Sequence, residues 1–306
     1  MIVLYPSISL WEFSYIKNEF LNNFENINYY YYDNYLITQS LELLIKNNTN
    51  NKIIFIFSTN SIKTNIDYIN LIKLIDFLKP KTIISLSDEY GINSDTIFSD
   101  KTNLFLYSYH HNNYIFSNKD YQIPLGYVTN YLEDKNFTEI QNTLKKIIDR
   151  KYNCSFIGQL KNDRVEMINT FKENMSKCNI IEVLNSWNLN EQVVKPNELF
   201  SIYNNSIFVL IGRGNKSLNC FRVYEAISAG AIPLIVGNTN EIKSTFKFNE
   251  DAPDLLYDES WELLVNKCNK LLEKKEELQK IQENNISWWN RKINFINNLI
   301  KESLLK

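Results

Sequence analysis

Short apolar runs alternate along this 306-residue chain with longer segments whose apolar residues recur at helical spacing. KIIFIFS at 52–58 and IFVLIG at 207–212 are rich in β-branched and aromatic residues, as expected of strands that are buried on both faces. Residues 66–78 have the periodicity of an amphipathic helix that ends before Pro80. Because such alternation is typical of parallel β–α–β units, it predicts an α/β fold with helices on both faces of each sheet.

The alternating pattern runs twice, which predicts two Rossmann-like, doubly wound domains that face a central cleft. Ligands of such sheets bind outside the carboxyl ends of the strands. A polar segment at 133–150 is interpreted as a linker helix, and residues 260–285 as a long helix or a helix pair. The predicted parts are an N-terminal domain at 1–150, a C-terminal domain at 151–286, and a final helix at 287–306 that packs back towards the N-terminal domain.

Charge and cysteine usage limit the classes of partner. The formal net charge is -2, without the basic surplus typical of nucleic-acid binders, so no nucleic-acid partner is expected. No run approaches the ~20 apolar residues that span a bilayer, and the first ten residues are interpreted as a strand rather than a signal peptide. The cysteines are far apart and form no CxxC pair, which favours reduced thiols and a cytoplasmic location. They are Cys154, Cys178, Cys220 and Cys268.

The window from Ser206 to Gly237 concentrates residue types that the chain otherwise uses sparingly. It holds four of the seven glycines and two of the five arginines. The chain is rich in Asn, Ile, Lys, Tyr and Phe, whose codons are AT-rich, and poor in residues whose codons are GC-rich. A glycine or arginine retained against that bias points to a physical constraint at its position.

Within this window, the loop GRGNKSLN at 212–219 leaves one predicted strand and opens the next predicted helix. Gly212 and Gly214 allow tight turns and a close approach of the backbone to a ligand. Free N–H groups at a helix start favour a bound anion, and Arg213 and Lys216 add positive charge. The loop is therefore a candidate phosphate-binding site.

Arg222 and Glu225 lie three residues apart on one face of the helix predicted at 220–229. An arginine near a helix start opposes the macrodipole, and a bound diphosphate would offset that cost because guanidinium pairs bidentately with phosphate. Glu225 has the reach to accept hydrogen bonds from two ribose hydroxyls. The alternative is that the two side chains form a surface ion pair and the glycines only shape a turn.

The same window resembles the C-terminal signature of exostosin-like glycosyltransferases of family GT47. That signature runs F-x-L-x-P-R-G and then S-F-R-x-Y-E-A-L-x-x-G-x-I-P-V-I, against FVLIGRGNKSLNCFRVYEAISAGAIPLIVG here. Ile211-Gly212 replaces the usual x-Pro, and Cys220 stands where Ser is common. The α1,3-fucosyltransferases share a looser version with Lys in place of the Arg. The matching residues are Arg213, Gly214, Phe221, Arg222, Tyr224, Glu225, Ala226, Gly230, Ile232 and Pro233.

Other segments are similar to the same family. CSFIGQLKNDRVEMI at 154–168 resembles the start of its donor domain, residues 84–91 and 104–127 resemble acceptor-domain segments, and WWNRK at 288–292 resembles its C-terminal helix. The resemblance implies a GT-B fold, a nucleotide-sugar donor and inversion at the anomeric carbon. Together with the residue chemistry it gives the donor-binding set, which is Gly158, Arg164, Gly212, Arg213, Gly214, Asn219, Arg222 and Glu225.

No Asp-x-Asp triplet occurs in the sequence. Glycosyltransferases of the GT-A class generally use that triplet to hold a divalent metal on the diphosphate. Here cationic side chains and a helix N-terminus are expected to neutralise the leaving group instead. No metal and no other cofactor are therefore expected.

Inversion needs a general base that deprotonates the acceptor hydroxyl. Asp88 and Glu89 follow the strand predicted at 81–87, and His110 and His111 follow the next predicted strand along the chain. We favour Asp88 or Glu89 as the base, with a histidine such as His110 as its partner or substitute. The alternatives are a helix N-cap for Asp88 and a polar loop contact for the histidines. Asp33 is a weaker candidate.

The sequence thus predicts a metal-independent, inverting glycosyltransferase with a nucleotide-sugar donor, a UDP-sugar being favoured, and a glycan hydroxyl as acceptor. One alternative is a fucosyltransferase-like enzyme that uses a GDP-sugar. A second is a sugar-nucleotide epimerase of the same shape. A third is a non-catalytic protein that binds a nucleotide or a glycan.

Overall fold

A computed structural model describes residues 1–6, 11–33, 35–46, 52–58, 62, 64–91, 98–111, 114–183 and 194–306 of the chain. The described residues form two compact units. Unit 1 comprises Met1–Leu125 and Ile293–Lys306, and unit 2 comprises Gly126–Lys292. The boundaries between these units differ from the domain boundaries predicted from the sequence, and those domain boundaries remain a prediction.

Unit 1 contains a six-stranded sheet in which every neighbouring pair of strands is parallel. The strand order is β2-β1-β3-β4-β5-β6. The chain passes from β1 to β2 on one side and then to β3 on the other, so the order reverses between β1 and β3. The strands are β1 (Ile2–Pro6), β2 (Asn28–Tyr32), β3 (Ile53–Ser58), β4 (Thr82–Leu86), β5 (Leu104–Tyr107) and β6 (Asp120–Gln122).

The helices of unit 1 are α1 (Phe13–Tyr15), a π-helix (Ile16–Leu21), α2 (Gln39–Lys46) and α3 (Asn65–Leu78). The first helical segment of the chain thus changes type within its length, from α-helix to π-helix at Ile16. Tyr15 and Phe20 are five residues apart, which matches the i→i+5 period, and their ring centroids lie 5.0 Å apart. The helix predicted at 66–78 is confirmed by α3.

Unit 2 contains a five-stranded parallel sheet in the order β11-β10-β9-β7-β8. The chain moves from β7 to β8 on one side and then to β9 on the other, so the order reverses between β7 and β9. Both predicted parallel sheets are thus confirmed. The strands are β7 (Tyr152–Gly158), β8 (Cys178–Glu182), β9 (Ser206–Ile211), β10 (Ile232–Val236) and β11 (Leu256–Asp258).

The helices of unit 2 flank its sheet and continue the chain-order numbering. One of them, α10, continues beyond residue 292 into unit 1, where Asn297 Nδ2 donates to the Glu19 carbonyl (2.9 Å). They are α4 (Phe137–Ile140), α5 (Arg164–Asn174), α6 (Pro196–Asn204), α7 (Phe221–Ser228), α8 (Thr239–Thr245), α9 (Trp261–Leu272) and α10 (Lys275–Leu305).

Two helix predictions in this half are wrong. The linker helix predicted at 133–150 is only the short α4 followed by two 3₁₀ turns. Around Lys145, side chains replace the helical backbone partners: its N–H donates to Asn204 Oδ1 (2.9 Å) and its carbonyl accepts from Arg150. The break expected near 286 is absent from α10, which runs through the polar segment at 284–287 because nothing there breaks a helix.

The prediction of four reduced thiols is also wrong, because Cys154 and Cys178 form a disulfide. The two cysteines are register partners on the neighbouring strands β7 and β8, with Cα atoms 4.7 Å apart. That proximity arises from strand pairing and is invisible in their separation along the sequence. Cys220 and Cys268 are free and buried.

Among the described residues, every helix is too short or too polar to cross a bilayer.

Candidate functional site

The loops that follow β7 and β9 are joined to each other at the point where the strand order of unit 2 reverses. Asn162 Nδ2 donates to the Gly214 carbonyl (2.7 Å), and Lys161 Nζ donates to Asn215 Oδ1 (2.6 Å). The backbone N–H of Arg213 donates to Asp163 Oδ1 (3.0 Å). Two segments that the sequence marked separately therefore form one structure at the edge where such sheets bind ligands.

Arg222, on the first turn of α7, extends its guanidinium over the end of β7. Its Nε donates to the Ile157 carbonyl (3.0 Å), and its Cζ lies 5.5 Å from the centre of the Phe156 ring. Gly158 makes room for this arrangement, since a Cβ there would lie 2.4 Å from Arg222 Nη2. The Arg222 side chain also interacts with Cys220, the residue that precedes α7.

Arg164, at the start of α5, is buried beside Arg222. Its Nη1 donates to the Gln159 carbonyl (3.0 Å) and its Nη2 to the Arg213 carbonyl (2.7 Å). Its Nε–H is buried and finds no acceptor in the described part of the chain. Burial, followed by the neighbouring charge of Arg222, lowers the pKa of Arg164 to about 10. Gly212 leaves space for this side chain, because a Cβ there would lie 2.4 Å from Arg164 Cγ.

Two other predicted donor residues already have protein partners. Arg213 forms a bidentate ion pair with Glu241, with distances of 2.6 and 2.8 Å, and hydrogen bonding to that carboxylate raises its pKa. Asn219 is buried and its Oδ1 accepts from the Tyr224 hydroxyl (2.6 Å). Both residues shape the loop in this state, while Lys216 is exposed to solvent.

Glu225 is buried and does not form the surface ion pair with Arg222 that was the alternative interpretation. Its Oε1 accepts from the backbone N–H of Val128 (3.4 Å), and its carbonyl accepts from the Tyr131 hydroxyl (2.7 Å). Burial raises the pKa of Glu225 from about 4.5 to about 7, although the charge of Arg222 and the Val128 hydrogen bond act in the opposite direction.

The raised pKa of Glu225 predicts a loss of stability with rising pH. Between about pH 4.5 and 7 the unfolded chain has released this proton while the folded chain keeps it, so the free energy of unfolding falls by up to about 3 kcal/mol. Glu225→Gln is expected to remove this contribution, which denaturant unfolding at pH 5 and pH 8 would measure. The exposed Glu302→Gln is the control, and equal slopes in both variants would contradict the prediction.

Tyr203, at the C-terminal end of α6, is a residue that the sequence analysis missed. Its side chain is buried, and its hydroxyl has no hydrogen-bond partner among the described residues. Burial raises its pKa, and the charges of Arg222, Glu225 and Arg164 also act on it. The sequence contains 19 tyrosines, and no local pattern separates this one from the others.

In unit 1, β4 and β5 are neighbours, so the loops after them meet. Asp88 is buried, its Oδ2 accepts from the Tyr114 hydroxyl, and its carbonyl oxygen lies 2.7 Å from His111 Nε2. The half-buried His110 stacks on Phe116, with ring centroids 4.9 Å apart. The predicted carboxylate and histidine segments are thus brought together.

Three further carboxylates lie at the same edge of the unit 1 sheet. Glu89 is half-buried, and Asp33 is exposed after β2. Glu12 was not singled out from the sequence, yet it is 1% exposed and accepts a hydrogen bond from Ser87 Oγ (2.6 Å). Ser87 itself has a left-handed φ of 60°, a conformation that is uncommon for serine. The N-cap alternative for Asp88 involves residues 92–97, which lie outside the described residues.

The described ranges contain no group of three or more His, Cys, Asp or Glu side chains that could hold a metal ion.

Fold and family together define the class: this is an exostosin-like glycosyltransferase of GT-B fold. Residues 134–302 match the model of the RXYLT1 C-terminal domain, and the chain belongs to that family. The matched range contains all eight predicted donor-binding residues. It does not contain Asp88, Glu89 or His110. No curated protein matches the chain.

Solved structures share this fold. The structure of Anabaena Alr3699/HepE in complex with UDP and glucose has 10% sequence identity and a TM-score of 0.57, covering 99% of both chains. A structure of the same protein in complex with UDP has a TM-score of 0.55 at 9% identity and the same coverage. An α1,3-fucosyltransferase has 11% identity and a TM-score of 0.50, covering 100% of this chain and 90% of its own. At these identities the likeness shows the fold.

Proposed function

We propose that this protein is an inverting, metal-independent glycosyltransferase that moves a sugar from a UDP-sugar to a hydroxyl group of a glycan. One observation carries the proposal. In a domain of a glycosyltransferase family, the guanidinium groups of Arg164 and Arg222 lie together at the carboxyl end of β7, and the buried Arg164 Nε–H has no acceptor among the described residues. Such donors suit the diphosphate of a sugar nucleotide.

In this proposal Arg164 and Arg222 stabilise the negative charge that develops on the leaving diphosphate. The glycines at 158, 212 and 214 keep the surrounding backbone close to that anion. Arg213 joins them only by exchanging its Glu241 partner for phosphate. Glu225 accepts hydrogen bonds from the ribose hydroxyls through the carboxylate oxygen that does not face Val128.

The nucleotide and the sugar are inferred by analogy with proteins of the same fold. The structure of Alr3699/HepE contains UDP and glucose, which favours a UDP-sugar. The α1,3-fucosyltransferase of similar fold keeps a GDP-sugar as the second candidate donor. The two differ in the base rather than in the diphosphate, so the arginine site suits either one.

The catalytic base of the proposed reaction belongs to unit 1. Asp88 is the preferred residue because its carboxylate is already held by the Tyr114 hydroxyl, which fixes its orientation. Glu89 and His110 stay as the other proposed candidates. Proton removal from the acceptor hydroxyl by this group accompanies attack on the anomeric carbon, which inverts its configuration.

A panel of nucleotide sugars tests the proposed function and its metal independence. The purified chain is expected to hydrolyse or transfer from UDP-sugars, and EDTA is expected to change the rate by less than about twofold. NMR of the product is expected to show the inverted anomer. Binding of UDP without turnover of any donor would favour the non-catalytic alternative. Loss of activity in EDTA that manganese restores would overturn metal independence.

The cellular location stays a proposal. A cytoplasmic location was inferred from the spacing of the cysteines, and the Cys154–Cys178 disulfide weighs against it because such bonds are rare in reducing compartments.

A further inference from the structure

Two arginines of the proposed donor site, Arg164 and Arg222, lie over the ring of one buried phenylalanine, Phe156. Their guanidinium carbons, Cζ, are 6.0 and 5.5 Å from the centre of that ring. Phe156 belongs to β7, whereas Arg164 begins α5 and Arg222 lies in the first turn of α7. One side chain of the sheet therefore contacts both cationic groups, although they come from separate helices.

The end of β7 is shaped so that Arg222 can reach this ring. Phe156 and Gly158 are two residues apart on one strand, so they lie on the same face of the sheet. A Cβ at Gly158 would lie 2.4 Å from Arg222 Nη2 and 3.2 Å from Phe156 Cζ. The carbonyl of Ile157, between them, accepts from Arg222 Nε (3.0 Å). The guanidinium thus occupies the space that the absence of a side chain leaves beside the aromatic ring.

An aromatic ring attracts a cation without occupying its hydrogen-bond donors, because the attraction comes from the negative potential of the ring face. Arg213 shows the contrast, since the Glu241 carboxylate accepts from both of its terminal nitrogens at 2.6 and 2.8 Å. At Arg164, the buried Nε–H has no acceptor among the described residues. Arg222 is half-buried, so an anion can approach it from solvent. The Phe156 ring therefore stabilises two positive charges and leaves them available to an anionic ligand.

We propose that Phe156 is a positioning residue for the diphosphate of the sugar nucleotide, because its ring holds the guanidinium groups of Arg164 and Arg222 at the carboxyl end of β7. The proposal rests on the proposed function and deepens it, since a residue of the strand itself joins the loop and helix residues of the anion site. Phe156 acts through the two arginines and does not touch the diphosphate. Without the ring, the two like charges lose a contact that they share, and their side chains spread over more orientations.

Phe156→Leu tests this role, because leucine keeps a buried apolar side chain and lacks the aromatic face. The Kd for UDP, measured by calorimetry, is expected to rise about fivefold to tenfold. Uridine carries the same base and ribose without the diphosphate, so its Kd is expected to stay within about twofold of the wild-type value. The ratio of the two Kd values isolates the contribution of the diphosphate, which a general loosening of the domain would not change selectively.

Phe171→Leu is the matched control. Phe171 is as fully buried as Phe156 and belongs to the same hydrophobic cluster, but its ring packs edge-on against Trp261, with centroids 6.3 Å apart. Both leucine variants are expected to lower the unfolding temperature, and only Phe156→Leu is expected to change the ratio of the Kd values. Pentafluorophenylalanine at position 156 is a second variant that keeps the shape of the ring and reverses the potential on its face. It is expected to raise the Kd for UDP at least as much as leucine does.

The possible results separate the role of Phe156 from the donor site as a whole. If the variants at position 156 bind UDP as tightly as the wild type, the ring does not position the arginines. If the affinities for UDP and uridine fall equally, Phe156 is needed only for packing, and the proposal is wrong while the donor site stands. A wild-type chain that binds neither UDP nor GDP overturns the donor site, and the role of Phe156 with it. A chain that binds GDP alone is tested in the same way with GDP and guanosine.

Discussion

An Arg222→Ala variant is expected to lose about 10²–10³-fold in kcat/KM for the donor sugar while its fold stays intact. The guanidinium donates to the Ile157 carbonyl, interacts with Cys220 and makes a cation–π contact with Phe156. Its removal should therefore lower the free energy of unfolding by only about 1 kcal/mol. Steady-state kinetics with varied donor, together with denaturant unfolding, measure the two effects separately.

Two companion variants make this result interpretable. Arg222→Lys keeps the charge and loses the bidentate geometry, so it is expected to fall between Ala and the wild type. Arg291→Ala removes an exposed arginine that pairs with Asp251, and it should leave donor turnover unchanged. If Arg222→Ala keeps near-normal activity, the donor site has been assigned to the wrong residues.

The two parallel sheets could be predicted from the sequence because a parallel strand that is buried on both faces appears as one continuous apolar run. KIIFIFS and IFVLIG each contain a strand, β3 and β9, whose residues are all buried. The donor loop was accessible for a related reason. Glycine and arginine are rare in this chain, and their clustering after β9 marked a place where the backbone must come close to something charged.

Other features depend on contacts that no local pattern encodes. The disulfide depends on the register of β7 against β8. The π-helix is only six residues long, and in so short a segment the spacing of apolar residues does not distinguish a π-helix from an α-helix. The burial of Tyr203 is a further case. It results from the packing of α6 beside α7, and the sequence around Tyr203 resembles any other helix end.

Arg150 and Arg222 show how the same residue type divides between stability and function. Arginine is rare in this chain, and the sequence analysis assigned a role to Arg222 but none to Arg150. Arg150 is buried, with Nη1 donating to the Tyr203 and Ser206 carbonyls (3.0 and 2.7 Å). Its Nη2 donates to the carbonyls of Lys145 and Ala229 (2.9 and 3.1 Å). Backbone carbonyls thus accept from every nitrogen of this guanidinium, whereas Arg222 bonds to one backbone carbonyl in the described part of the chain, that of Ile157.

Arg150→Met is therefore expected to destabilise the chain by about 3–5 kcal/mol, because methionine keeps much of the volume and leaves several buried carbonyls unpaired. Burial lowers the pKa of Arg150 to about 9, which reflects the cost of removing its charge from water. The hydrogen bonds to backbone carbonyls offset that cost. Urea unfolding of Arg150→Met beside the exposed Arg291→Met measures the difference. If the free energy of unfolding falls by less than about 1 kcal/mol, Arg150 does not stabilise the fold as expected.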